Sequence, residues 1–436
     1  MFQYASFVVL LVRIQTITGF LLDGSVPCYD VCVCPRQDSI HCELRGLRTF
    51  PVFDLPTDFT SSSGLTINLD NNKLTEIPFG TFQNFTNALQ NTTLNIVNLR
   101  HNHISQIRNG AFLGLENVTL QLYLEDNFLT AIPYEFTRLR GLQLLFIKNN
   151  PLVVTGISDD IVQQIMYNNA IMTISLSSYE LLKKVMKYQL NTIIELHLHD
   201  MNETRFDQGL FINGQTTALR KLFINSCAFG DLSEVLCNLD LKVFVVDNCR
   251  NVHDTTLQGC PQNNTDQLWI KSCSTTDALD PSAFYSAPLT QFWLSSRNTT
   301  HVPKAQLTHW PNLTSIFFDT NINQIQKADL EVLTELRKLY TSIGTIRFID
   351  DEVFDKNLKL EILSLGSYHP DAHVTASIKH LTRLRQLTLP DIPCSCTTMG
   401  VLKGGNYSTM SIRGRCFNIY DKDIQAYLNN DIMACP

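Results

Sequence analysis

The sequence predicts an α/β solenoid, in which short parallel strands form a sheet along one side and irregular or helical segments return along the other. Three observations support this fold class. An apolar pattern, LxxLxLxx followed by Asn or Cys, recurs along the chain, and its copies mostly end 22 to 26 residues apart. Cysteine-rich stretches precede the first copy and follow the last. A chain of 436 residues with one repeated unit is therefore expected to be a single array.

The repeat itself explains why the copies stack. Alternating apolar residues form a short strand with its leucines on one face, and one repeat cannot bury that face alone. Clear copies are LNIVNLRHN (94–102), LRKLFINSC (219–227), LKVFVVDNC (241–249) and LTSIFFDTN (313–321). This period and pattern resemble leucine-rich repeats, and about fourteen copies span residues 60–392. The resemblance implies a horseshoe with a concave parallel β-sheet and an irregular or helical convex side.

The last position of the repeat holds Asn or Cys. The resemblance implies that asparagines there bond to the backbone from repeat to repeat. Cys227, Cys249 and Cys273 occupy this position in three consecutive repeats, and we interpret them as buried thiols in the same role. A disulfide between neighbouring repeats stays open, because stacked strands lie ~4.8 Å apart. A metal site or a nucleophile is disfavoured, since the thiols lie in a line and no base is evident.

A second apolar series follows several strands and predicts a row of buried aromatic rings on the convex side. Its members are Phe82, Phe112, Phe136, Phe284 and Phe354. Residues 151–190 are the least regular part of the array. The segment SSYELLKKVMKYQL within them predicts a convex helix or a local change of curvature.

The N-terminal residues predict entry into the secretory pathway. The first 22 residues are mostly apolar, and we expect residues 1–19 to form a signal peptide. An amphipathic first helix is the alternative, because Arg13 interrupts the apolar run. No later segment reaches the ~18 apolar residues needed to cross a bilayer. We therefore expect a secreted, extracellular glycoprotein, with N-x-S/T sequons at Asn84, Asn91, Asn117, Asn202, Asn263, Asn298, Asn312 and Asn406.

The cysteine-rich stretches predict a cap at each end of the array, over residues 20–59 and 393–436. Each contains a C-x-C pair and resembles the terminal caps of extracellular leucine-rich-repeat proteins. Zinc is disfavoured in an oxidising compartment. The resemblance implies the disulfides Cys28–Cys34, Cys32–Cys42, Cys394–Cys416 and Cys396–Cys435. Cys237 and Cys260 lie in the convex segments of adjacent repeats, and we expect them to pair as well.

The expected binding surface is the concave sheet, where relatives often bind protein partners. The position between the two strand leucines is apolar or aromatic in six consecutive repeats, from Phe223 to Tyr340. Exposed apolar patches mark interaction sites, and Trp and Tyr are favoured anchors. Stabilisation of the sheet by aromatic neighbours is the alternative. The predicted ligand-binding residues are Tyr123, Phe146, His197, His199, Phe223, Trp269, Lys271, Trp293, Phe317 and Tyr340.

Composition and motifs narrow the function to binding. A net charge of -7 without a long basic run argues against nucleic acid. His197, His199 and Asp200 suggest a metal site only if a third ligand exists, so we expect a polar contact patch and no metal or cofactor. No G-x-S-x-G, H-E-x-x-H or phosphate-loop motif is found. The chain is expected to be a non-enzymatic binder of an extracellular protein, a peptide or a second copy of itself. A matrix scaffold, or a non-catalytic subunit of an extracellular enzyme complex, is the alternative.

Overall fold

The computed structural model describes most of the repeat array. The predicted signal peptide, Cys28, Cys249 and Cys273 lie outside the described residues. The chain divides into two compact units, Met1–His199 and Asp200–Pro436. The described ranges are 31–36, 38–53, 64–85, 95–188, 192–203, 206–207, 209–211, 218–228, 232–248, 260–272, 281–296, 299–342, 344–390, 392–403, 410–419 and 422–435.

The first unit contains a sheet to which successive repeats contribute one strand each. Its strands are β1 (Val33–Arg36), β2 (Ser39–His41), β3 (Thr66–Asn68), β5 (Asn95–Asn98), β7 (Leu120–Tyr123), β8 (Leu142–Phe146), β9 (Thr173–Leu176) and β10 (Glu195–His199). β1 pairs antiparallel with β2, and every later pairing is parallel. A separate parallel pair consists of β4 (Glu76–Ile77) and β6 (Gln106–Ile107).

Strand alternation decides which side chains enter the core. In β7, Leu120 and Leu122 are fully buried, whereas Gln121 and Tyr123 are half-buried on the other face. Successive side chains of a strand point to opposite faces, so the leucines of every repeat reach one core. The residues between them form the outer face of the sheet.

Buried asparagines connect the repeats of the first unit. The Asn102 amide donates to the Leu69 carbonyl of the preceding repeat at 2.9 Å, and its oxygen accepts from the Leu74 N–H at 3.1 Å. The same pattern recurs one repeat later at Asn127, which bonds to the Leu99 carbonyl and the Ile104 N–H, each at 2.9 Å. The ladder implied by the resemblance is confirmed for Asn72, Asn102, Asn127 and Asn150.

The side opposite the sheet carries stacked phenylalanines and helices. The rings of Phe82, Phe112 and Phe136 follow one another at centroid distances of 5.9 and 6.0 Å, as predicted. The helices are α1 (Asp159–Asn168) and α2 (Tyr179–Lys187), with 3-10 turns at Gln83–Phe85, Tyr134–Arg138 and Val154–Gly156. The predicted convex helix is α2, and the Ser178 hydroxyl caps it by accepting from the Leu181 N–H. The sequence reasoning did not identify α1.

The second unit repeats this architecture, with parallel strands contributed by successive repeats. Its strands are β11 (Lys221–Asn225), β12 (Val243–Asp247), β13 (Gln267–Lys271), β14 (Gln291–Ser296), β15 (Ser315–Thr320), β17 (Lys338–Thr341), β20 (Ile362–Ser364), β22 (Gln386–Thr388) and β23 (Ser411–Arg413). All are paired in parallel in this order. Two further parallel pairs are β16 (Gln324–Ile325) with β19 (Phe348–Ile349), and β18 (Thr345–Ile346) with β21 (Ser367–Tyr368).

Short helices and buried aromatic rings fill the other side of the second unit. Phe284 and Phe354 are fully buried, as predicted, and the Phe284 ring stacks on Phe244 at 5.6 Å. The helices are α3 (Ser233–Asn238), α4 (Lys304–Leu307), α5 (Lys327–Leu330), α6 (Cys396–Met399) and α7 (Ile424–Asn430). The 3-10 turns are Ser282–Phe284, Ala376–His380, Gly400–Leu402 and Ile432–Ala434.

Disulfides join residues at both ends of the chain and within the array. The bonded pairs are Cys32–Cys42, Cys237–Cys260, Cys394–Cys416 and Cys396–Cys435, all of which were expected. Cys34 is also disulfide-bonded. Cys227 is fully buried two residues after the end of β11, and its thiol donates to the Asn225 carbonyl at 3.2 Å. This contact fits the interpretation of Cys227 as a buried thiol at the ladder position.

Candidate binding surface

Six aligned side chains form a continuous row on the outer face of the strands of the second unit. Strand register places each directly beside the next across β11, β12, β13, β14, β15 and β17. We call these residues the aromatic row: Phe223, Val245, Trp269, Trp293, Phe317 and Tyr340. The alignment is the one that the repeat pattern predicted. Its role in ligand binding stays a prediction.

Four neighbouring rings of the aromatic row contact one another in sequence. Trp269 and Trp293 lie 5.8 Å apart with their planes tilted by 50°. Trp293, Phe317 and Tyr340 form a parallel stack, with centroids 4.8 and 4.6 Å apart. The Lys271 ammonium lies 4.5 Å from the centroid of the Trp269 ring and 4.0 Å from that of Trp293. These distances allow a cation–π attraction to both indoles.

The expected exposure of this patch requires a correction. Its aromatic side chains are half-buried rather than exposed, and Val245 is buried at 6% relative exposure. The cause is the stack itself, because strands ~4.8 Å apart bring neighbouring rings into face contact. The row therefore stabilises the sheet, and it also leaves part of each ring in contact with solvent.

Both tryptophans of the row have an unsatisfied polar atom. The Nε1 atoms of Trp269 and Trp293 are buried and find no acceptor among the described residues. Leaving a buried donor without a partner costs about 1–3 kcal/mol. The third tryptophan shows the contrast, since the Trp310 Nε1–H donates to the Phe284 carbonyl at 2.8 Å.

Polar side chains lie along the C-terminal edge of the aromatic row. Asn225, Asp247 and Lys271 are aligned across three strands. Burial raises the pKa of the Asp247 carboxyl, and the positive charge of Lys271 opposes this rise. Farther along, Asp319 accepts a hydrogen bond from the Ser295 hydroxyl at 2.9 Å. The row thus has a charged and hydrogen-bonding border.

The sheet of the first unit carries a smaller aromatic group of predicted site residues. Tyr123, Phe146 and His197 are aligned, with the small, buried Ser175 between the last two. The Tyr123 and Phe146 rings lie 5.3 Å apart, edge to face. The ring centroids of Phe146 and His197 lie 5.4 Å apart, because the small side chain of Ser175 leaves room for the two rings to approach each other.

Arg100 and Glu125 were missed by the sequence reasoning. The Arg100 guanidinium lies 4.2 Å from the Tyr123 centroid, and its Nε donates to Glu125 at 2.7 Å. The Glu125 side chain is only 3% exposed, whereas the Arg100 side chain is 32% exposed, so the carboxylate is shielded from water and the guanidinium remains partly accessible. Arg100 lies two positions after Asn98, and Glu125 two positions after Tyr123, where Asn98 and Tyr123 are aligned outward-facing strand residues. His199 follows His197 in the same way. That shared position is the signal that could have identified them.

His197 and His199 point to the outer face, as predicted, and their rings are parallel at 6.2 Å. The His197 Nε2 lies 2.7 Å from Glu195 Oε1. Burial, followed by the positive charges of Lys148 and His197, lowers the pKa of His199 to about 3. Over the described parts of the chain, no group of three or more His, Cys, Asp or Glu residues is placed to hold a metal ion.

The sequon asparagines are accessible where their side chains are described. Asn117, Asn202, Asn263 and Asn312 are all exposed. The side chain of Asn84 lies outside the described part of the molecule, as do Asn91, Asn298 and Asn406. None of the helices within the described ranges is long and apolar enough to cross a membrane.

Comparison with known proteins agrees with this architecture. A family model described as leucine-rich repeat matches residues 92–152. The chain has a leucine-rich-repeat solenoid fold. This fold class is the one predicted, and solved leucine-rich-repeat structures share it. No curated protein matches the chain.

Three solved structures show the likeness. An internalin of Listeria monocytogenes has 19% identity and a TM-score of 0.52, and the match covers 77% of this chain and 89% of the internalin chain. A leucine-rich-repeat protein of Leptospira interrogans has 18% identity and a TM-score of 0.52, and the match covers 82% of this chain and 90% of the Leptospira chain. TLR13, solved in complex with ssRNA13, has 14% identity and a TM-score of 0.54 over 90% of this chain. The match spans 63% of the TLR13 chain.

Proposed function

We propose that this chain is a secreted, non-enzymatic leucine-rich-repeat protein that binds a protein or peptide ligand. In this proposal, residues 1–19 are removed as a signal peptide. The repeats lie between caps formed by residues 20–59 and 393–436. The ligand docks on the aromatic row of the second unit. The single observation that carries the proposal is the pair of half-buried tryptophans whose indole N–H groups have no acceptor among the described residues.

The two indole N–H groups without an acceptor favour binding of a polar ligand, because the ligand can supply that acceptor. An indole ring that turns about its side-chain bonds can present its N–H at the surface, and such rotamer changes are common at interfaces. A ligand carbonyl or carboxylate that accepts this N–H removes the cost of the unsatisfied donor. The partly exposed rings supply apolar contact at the same time. A peptide backbone offers both apolar groups and regularly spaced acceptors.

The charged residues at the border of the aromatic row make binding selective for the charge pattern of the ligand. Lys271 lies above both indoles, so a ligand that contacts the rings also meets its ammonium group. Asp247 and Asp319 lie on either side of it along the sheet. This alternation of charge favours a ligand with matching charges of both signs. It disfavours the uniform negative charge of a nucleic-acid backbone, as does the net charge of -7.

The test is affinity capture from the extracellular fluid of the source with three baits. These are the unaltered protein, the Trp269→Ala, Trp293→Ala double variant, and a Phe348→Ala control. Phe348 lies on β19, away from the main sheet, and is 46% exposed. We expect one partner to be retained by the unaltered protein and the control but lost by the double variant. Equal retention by all three folded baits would exclude the aromatic row as the site. Retention of the chain itself would identify the ligand as a second copy.

A further inference from the structure

A surface cavity in the first unit lies beside a sequon asparagine. Its volume is about 520 Å³, which is within the ~300–1,000 Å³ typical of small-molecule sites. Residues from three successive repeats line it. They include Asn117, Tyr134, Arg138, Arg140, Gln164 and Asn168. Its lining residues belong to the segments that precede β7, β8 and β9.

The cavity wall combines one aromatic ring with several hydrogen-bonding groups. Tyr134 is 54% exposed, so much of its surface is open to solvent. The Asn168 amide is fixed by donating to the Thr137 carbonyl at 3.0 Å. Arg138 Nε lies 3.5 Å from the shielded carboxylate of Glu135, which holds the guanidinium at the wall. This contact is an ion pair without a hydrogen bond, so it occupies none of the five N–H donors of the guanidinium.

We propose that the first N-acetylglucosamine of a glycan on Asn117 occupies this cavity. Asn117 begins the sequon Asn-Val-Thr, is exposed and forms part of the cavity wall. A sugar attached to its amide nitrogen therefore starts inside the cavity. The weakly polar C–H face of the sugar ring packs on the Tyr134 ring, whose face carries partial negative charge. The sugar hydroxyl and acetamido oxygens accept from Arg138 and Arg140.

The charge of the wall favours a neutral sugar over a free anion. Two arginines contribute positive charge, but Glu116 also lines the cavity, and Arg138 is already paired with Glu135. A neutral ligand with many hydroxyl groups uses donors and acceptors of both kinds. Because the wall comes from three repeats, a sugar seated there connects them. This inference rests on the proposed secretion, since the modification belongs to that pathway.

The experiment uses the full chain expressed in a secreting eukaryotic cell. Glycopeptide mass spectrometry gives the occupancy of Asn117 and Asn312, and thermal unfolding is measured for Asn117→Gln, Tyr134→Ala and the combined variant. We expect each single change to lower the melting temperature by about 2–4 °C. The combined variant should lose no more than either alone, because both changes break one contact. The matched control, Asn312→Gln, should leave the melting temperature unchanged. Trimming the glycan enzymatically to one N-acetylglucosamine should also leave it unchanged.

Two results would overturn the inference. One is an additive loss in the combined variant, which would mean that Tyr134 acts without the sugar. The other is an unmodified Asn117 in a chain whose Asn312 is glycosylated. A chain that stays inside the cells and carries no sugar at Asn117 or Asn312 would overturn the proposed secretion together with this inference. Failure of the sugar contact alone is therefore distinguishable from failure of the proposed function.

Discussion

Replacing Asn127 by Ala tests whether the asparagine ladder holds the repeats together. Asn127 is buried after β7 and contacts two repeats. Its amide donates to the Leu99 and Leu124 carbonyls at 2.9 and 3.1 Å. Its oxygen accepts from the Ile104 N–H at 2.9 Å. The alanine side chain replaces none of these bonds, so the contact between neighbouring repeats weakens at one position.

The expected loss in free energy of unfolding depends on which partners of Asn127 keep another hydrogen bond. The Leu99 carbonyl still accepts from Asn102, and the Leu124 carbonyl from Asn150, so each loses about 1 kcal/mol of net hydrogen bonding. The Ile104 N–H is left buried without its acceptor, which costs about 1–3 kcal/mol. The free energy of unfolding should therefore fall by about 3–5 kcal/mol. That is a large part of the ~5–15 kcal/mol that usually stabilises a folded domain.

Urea denaturation measures the loss, and amide hydrogen exchange at Ile104 locates it. The matched control is Asn149→Gly, which removes an exposed hydrogen bond to Asp126. Asn149 has a φ of 56°, a conformation that Gly adopts without strain. The control should change stability by less than about 0.5 kcal/mol. A loss below about 1 kcal/mol for Asn127→Ala, or unchanged exchange at Ile104, would refute the ladder as a source of stability.

Three other perturbations have defined outcomes. The Tyr368 hydroxyl is buried without a hydrogen-bond partner among the described residues, so Tyr368→Phe should leave the denaturation midpoint unchanged or raise it. A lowered midpoint would contradict this assignment. The pKa of His199 is lowered to about 3 in the folded chain. As the pH falls, this histidine is therefore protonated in the unfolded chain before it is protonated in the folded chain. Stability should fall as the pH drops from about 6.5 towards 3, and His199→Gln should flatten that slope. An unchanged slope would exclude His199 as its source. Replacing Cys237 and Cys260 by Ser opens a crosslink with a sequence separation of 23, and calorimetry should register a loss of about 3 kcal/mol. A negligible loss would show that the segment is held by other contacts.

The repeat register was predictable from the sequence because it depends on periodicity alone. Once each repeat contributes one strand, the residue between the strand leucines falls beside its counterpart in the next repeat. That rule correctly aligned Trp269, Trp293 and Phe317. The second apolar series, which follows the strands at a fixed spacing, likewise predicted the buried rings of Phe82 and Phe112. These features need no knowledge of side-chain conformation.

The burial of the outer face was not predictable in the same way. It depends on how neighbouring side chains from different repeats lean on one another. The sequence predicted an open patch, whereas stacking leaves its rings half-buried and Val245 buried. The pairing of Arg100 with Glu125 was missed for the same reason, because the two residues meet only after the strands are in register. The orphan indole N–H groups likewise depend on ring orientation, which no sequence pattern encodes.

The most direct measurement compares the unaltered protein with a Trp269→Phe, Trp293→Phe double variant. This change keeps two aromatic rings in the row and removes only the indole N–H donors and part of the ring area. Binding to the captured ligand is measured beside urea denaturation. The proposal predicts that stability stays equal or rises, while affinity falls about tenfold or more, as expected for two lost hydrogen bonds. Unchanged affinity in a folded variant would contradict the claim that these tryptophans donate to a ligand.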